Sequence, residues 1–145
     1  MLNDFISKFK SQGTRVQIVA IGDLLFSIYY FYLFIASFSA FDELPILNSV
    51  KNGIAFVGMF FGFYFLLQGK PIGKSLTRFV GTVGLMYFIG YMCYGMTFIG
   101  KPGYSEVAVI SYIIGYTSNI LIRFAYPIIA GFIILGKSNA ELFQS

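Results

Sequence analysis

The chain has 145 residues, 57% of them hydrophobic and 11% charged, with a formal net charge of +4 and a mean hydropathy of +0.77. So little polar surface cannot coat a water-soluble globule of this size, which makes lipid the solvent for most of the chain. Histidine is absent and Cys93 is the lone cysteine, which excludes an internal disulfide, a thiolate cluster, a histidine-ligated metal or haem and a histidine general base unless another chain supplies the groups.

Residues 1–12 place Leu2, Phe5, Ile6 and Phe9 at helical spacing, opposite Asn3, Asp4, Lys8, Lys10 and Ser11. That pattern predicts a short amphipathic helix lying in the membrane interface, its lysines against anionic headgroups. The apolar run that follows is too long for the core of a cleavable signal.

Four continuous apolar runs predict four transmembrane helices, at 16–41, 46–67, 79–99 and 107–135. Uniformly apolar runs of this length exclude barrel strands, which would be short and alternating. In the first, Asp23, Ser27, Tyr30, Phe34 and Ser37 share a face and form a polar stripe. The second follows a loop holding Asp42, Glu43 and Pro45, and carries a Gly58-x-x-x-Gly62 pair with Ala55 one turn before, a small-residue face that admits another helix closely. Residues 68–78 read as a loop, broken by Gly69, Pro71 and Gly73. The third run adds Gly81, Gly84 and Gly95 to the packing faces, together with Tyr87, Tyr91 and Tyr94, whose hydroxyls need partners at that depth. Gly100, Lys101, Pro102 and Gly103 form a tight turn into the fourth run, where Ser111, Gly115, Asn119, Arg123 and Pro127 recur every four residues and predict an inward face. Pro127 frees the backbone carbonyl of Arg123, which then needs another donor.

Short connections predict an all-α, antiparallel up-down bundle forming one integral-membrane domain. Lysine and arginine fall seven to two: Lys8, Lys10, Arg15, Lys70, Lys74, Arg78 and Lys137 on one side against Lys51 and Lys101 on the other. The positive-inside rule then places both termini in the cytoplasm, with a bacterial inner membrane as the expected location. The basic residues flank apolar runs without a stripe of interleaved aromatics, so no nucleic-acid partner is expected.

A guanidinium within a span persists only with a partner or a role. Asp23 lies at a compatible depth, so the sequence predicts an intramembrane Asp23–Arg123 ion pair. No histidine, Ser-Lys pair or intraspan carboxylate cluster supports catalysis, and no metal or cofactor is expected. The expected partners are the bilayer and other membrane subunits or copies of the chain. In size, span number and the single acid of its first span, the chain looks like the small multidrug exporters; it departs from them in having aspartate rather than glutamate there, no tryptophan and unbalanced loop charges. Two functions follow: a non-catalytic subunit of a membrane assembly such as secretion, energy-transducing or transport machinery, and a small homo-oligomeric transporter or channel using Asp23 and Arg123.

Overall fold

The computed structural model describes residues 6, 7, 9–38 and 45–136, and among these residues four helices are long and apolar enough to cross a membrane. We label them α1 (Thr14–Ala36), α2 (Pro45–Leu67), α3 (Ile72–Met96) and α4 (Glu106–Ile128), the last continued by a π-helical turn, Ile129–Ile134. Residues 39–41 of the expected first span lie outside the described residues, as do the loop residues Asp42 and Glu43 and the tail with Lys137.

The α2–α3 connection is shorter than expected. Gly69, at a φ of +68°, and Pro71 break the chain, but Lys74 and Arg78 belong to α3, which begins at Ile72 rather than at residue 79. Charge alone does not end a helix, and both residue types are good helix formers. At the end of α4, Pro127 contributes no N–H, and beyond it the Leu135 amide donates to the Ala130 carbonyl at 2.9 Å, the i to i−5 spacing of a π turn.

Among the described residues two apolar clusters fill the interior. Val16, Val19, Ala20, Leu66, Ala130 and Leu135 form one, and Tyr30, Ala55, Met59, Val80, Tyr91, Ile120 and Phe124 the other. Lipid tails are as apolar as these side chains, so the clusters cohere by close packing rather than by expulsion of water. Glycines set that closeness. A Cβ on Gly58 would overlap Val80, one on Gly84 the Phe124 ring and one on Gly95 the Ile113 side chain, while one on Gly81 would stand 3.0 Å from the Pro127 carbonyl and 3.2 Å from Ile128 Cα.

Gly115 differs from that expectation: nothing lies within 4 Å of where its Cβ would be. The buried residues of α4 are Val109, Thr117, Ile120, Phe124 and Pro127, whereas Ser111, Gly115 and Asn119 are exposed and Arg123 is half-buried. The cause is helical geometry. A spacing of four overshoots one turn by about 40°, so a stripe facing inward at Pro127 has swung to the outside by Asn119.

Of the expected amphipathic helix, residues 1–5 and 8 lie outside the described residues, while 6, 7, 9 and 10 are helical. Phe9 packs against the Val16–Leu66–Leu135 cluster. The Gln17 amide donates to the carbonyls of Gln12 at 2.8 Å and Phe9 at 3.1 Å, and the Gln12 amide donates to the Leu67 carbonyl at 3.0 Å. The segment is therefore tied to the ends of α1 and α2 by hydrogen bonds, a link that its amphipathic pattern does not reveal.

Candidate functional site

All four helices meet around Asp23, which is 0% exposed. Gly62 on α2 makes room for it, since a Cβ there would stand 2.8 Å from Asp23 Oδ2 and 3.3 Å from Thr77 Oγ1. Gly73 allows α3 to reach the same point, where its own Cβ would meet the Leu66 amide at 2.7 Å and the Gly62 carbonyl at 2.9 Å. Thr77, one helical turn along α3, places its hydroxyl oxygen 2.6 Å from Asp23 Oδ2. From α4, the Tyr126 hydroxyl lies 3.0 Å from Asp23 Oδ1 and 2.8 Å from the Val19 carbonyl. Its ring stacks on Phe26 at 4.3 Å and 13°, and its hydroxyl fills the space that a side chain on Gly22 would occupy.

The expected pairing of Asp23 with Arg123 is not what these helices bring together. Both residues are described, and they form no ion pair; the carboxylate's side-chain partners are Thr77 and Tyr126. Rotation explains the exchange more than depth does. Counted at 1.5 Å per residue from the ends Thr14 and Ile134, Asp23 lies about 13 Å in, Tyr126 about 12 Å and Arg123 about 16 Å. Tyr126 also lies about 60° round the helix from Arg123, on the side that faces α1.

Arg123 contributes its backbone instead. The carbonyl that Pro127 deprives of its helical donor accepts a 2.6 Å hydrogen bond from Tyr30, a fully buried residue of α1. Ser27, on the same α1 stripe, turns back to its own helix and donates to the Leu24 carbonyl at 2.7 Å. The α4 groups left over are Asn119, whose side chain has no hydrogen-bond partner among the described residues, and the Arg123 guanidinium, which forms neither a hydrogen bond nor an ion pair among them.

Arg78 is a residue that sequence reading assigned only to orientation. Its Nε donates to the Gly131 carbonyl at 2.7 Å and its Nη2 to the Leu135 carbonyl at 3.2 Å, so one guanidinium closes the π turn that continues α4. The signal was present in Gly131, where a Cβ would lie 2.9 Å from the Arg78 backbone.

A second polar level lies between α1, α2 and α3. Lys51 is 3% exposed, donates to Asn48 Oδ1 at 3.0 Å and sits 5.9 Å from the centre of the Tyr87 ring. Asn52 donates to the Leu33 carbonyl at 3.2 Å, and Ser49 to Ser37 at 3.0 Å. Beside this level, Leu47, Met86, Tyr87, Gly90, Tyr91 and Tyr94 line an almost wholly apolar cleft of about 500 Å³. Comparison with known proteins finds no similar family, curated protein or solved structure.

Proposed function

We propose that this chain is a non-catalytic integral-membrane subunit that joins a larger assembly through the exposed face of α4. The observation that carries the reading is that Ser111, Gly115 and Asn119 are exposed on that helix with Arg123 half-buried beyond them, the Asn119 amide and the Arg123 guanidinium being unpartnered among the described residues. An amide and a guanidinium at mid-span are costly against acyl chains, and small residues spaced by four admit a second helix closely. A partner span bearing carbonyl or carboxylate groups would satisfy both.

The reading takes the helices as an antiparallel up-down bundle with a short interfacial helix before it and both termini cytoplasmic. Contacts between α3 and α4 support the first part, because 81 meets 127, 84 meets 124, 91 meets 116 and 95 meets 113. The seven-to-two distribution of Lys and Arg supports the orientation, and a bacterial inner membrane is the location we assign.

A second reading, a small homo-oligomeric transporter or channel using Asp23 and Arg123, is favoured by the presence of an intramembrane acid together with an unpartnered guanidinium. Four helices enclose little volume, so such a path would need several copies. Extraction with native lipids followed by mass measurement separates the two. Unrelated membrane chains bound through α4 support the subunit, a defined homo-oligomer supports the transporter, and a lone monomer overturns both.

A further inference from the structure

Asp23 sits where oxygens outnumber protons. Four short oxygen–oxygen contacts converge there: Thr77 Oγ1 to Asp23 Oδ2 at 2.6 Å, Thr77 Oγ1 to the Gly73 carbonyl at 3.1 Å, Tyr126 Oη to the Val19 carbonyl at 2.8 Å, and Tyr126 Oη to Asp23 Oδ1 at 3.0 Å. Carbonyls and carboxylates only accept, and each hydroxyl carries one proton. With Asp23 ionised, two protons must therefore serve four contacts. Each hydroxyl must then divide its single proton between two acceptors, at a site where Asp23 and Thr77 are both fully buried.

One further proton, on Asp23 Oδ2, leaves only one of the four contacts shared. Asp23 then donates to Thr77, and Thr77 donates to the Gly73 carbonyl four residues back, as helical threonines commonly do. Tyr126 is left free to donate to Val19, with Asp23 Oδ1 as its second acceptor.

The surroundings agree. Gly62 faces Asp23 from α2, Thr77 and Gly73 from α3, and Tyr126 from α4, none of them charged. Of the cations on these helices, Arg15 is exposed, Lys51 donates to Asn48, Arg78 donates to Gly131 and Leu135, and neither Lys74 nor Arg123 forms an ion pair with Asp23. Along α1 the acid lies between the Val16–Val19–Ala20 cluster on one side and Tyr30 on the other, so apolar packing separates it from both ends of the bundle. Among the described residues Asp23 thus has no counter-ion, and a buried carboxylate in that state is among the costliest groups a span can hold.

We propose that Asp23, Thr77 and Tyr126 form a proton-binding site, in which Asp23 is held as the neutral carboxylic acid and donates to Thr77. The site rests on its own geometry and is independent of whether the chain acts as a subunit or as an oligomer.

The test is infrared spectroscopy of the full chain reconstituted in lipid bilayers. The expected result is a protonated-carboxyl C=O band that shifts down when aspartate carries ¹³C at the side-chain carboxyl, shifts down again in protein produced in deuterium oxide, and is missing from Asp23→Asn. Thr77→Val should move the same band upward, because the acid loses its acceptor. Should Asp23→Asn not accumulate, labelled Asp4→Asn/Asp42→Asn protein, with Asp23 as its one aspartate, gives the same readout with the site intact. A label found only in carboxylate stretching bands overturns the proposal, and a carboxyl band unmoved by Thr77→Val overturns the direction of donation.

Discussion

Replacing Tyr30 by Phe removes one oxygen and tests a specific line of cause running from Pro127 to α1. The Tyr30 hydroxyl donates at 2.6 Å to the Arg123 carbonyl, which has no helical donor because residue 127 is proline. Interhelical hydrogen bonds within membranes average about 0.6 kcal/mol and reach about 1.7 kcal/mol. Here the acceptor is left without any donor in a buried setting, which places the loss at the upper end, about 1.5 kcal/mol. That corresponds to about a tenfold fall in the folded-to-unfolded ratio. Pro127→Ala restores an N–H at the right position, so in that background the Arg123 carbonyl regains its helical partner and Tyr30→Phe should cost much less. The coupling in this double-mutant cycle should be about 1 kcal/mol. Unfolding in mixed micelles with increasing denaturing detergent, followed by far-ultraviolet circular dichroism, measures all four proteins. Equal costs for Tyr30→Phe in the two backgrounds would refute the role given to Pro127.

Three further substitutions probe the packing. Gly62→Ala brings a methyl to 2.8 Å from Asp23 Oδ2 and should cost about 1–3 kcal/mol in the same unfolding assay, whereas Gly115→Ala, with open space around it, should be neutral or stabilise by up to about 1 kcal/mol; similar losses for both would contradict the packing described. Arg78→Met strips the Gly131 and Leu135 carbonyls of a charged donor and should cost roughly 1.5–3 kcal/mol, with faster amide exchange confined to residues 129–136; unchanged exchange there would show that the guanidinium does not hold the π turn. Gln17→Leu removes the donor shared by the Phe9 and Gln12 carbonyls and should make residues 9–13 more sensitive to limited proteolysis without loss of the four spans; unaltered cleavage would remove the tether.

The four helices were legible because hydrocarbon thickness imposes a length and an apolarity that the sequence displays directly. Their ends were less so. Lys74 and Arg78 mark the interface in a charge count, yet a helix passes through both, since only Gly69 and Pro71 break the backbone there. Rotation was the hardest quantity to read. A uniform spacing of four on α4 suggests one face but drifts across two, which turned Asn119 and Gly115 outward while Thr117, Ile120 and Phe124 pack inside. Asp23 was recognisable as a buried acid, whereas its partners depended on helix rotation and on where α3 begins. The side of α4 turned toward α1 carries the Tyr126 side chain rather than that of Arg123, and Thr77 emerges once α3 is known to begin at Ile72. The need of the Arg123 carbonyl for an outside donor followed from Pro127 alone, because a missing N–H is a local property that no rotation alters.

The unpartnered polar side of α4 is the feature on which the functional reading depends, and mass measurement of the complex extracted with its native lipids tests it most directly. The wild-type chain should leave the membrane bound to other membrane-spanning chains, and Asn119→Leu with Arg123→Leu should abolish this binding while the four helices remain folded. A wild-type chain that emerges alone with lipid, or a complex indifferent to those two substitutions, would contradict that reading.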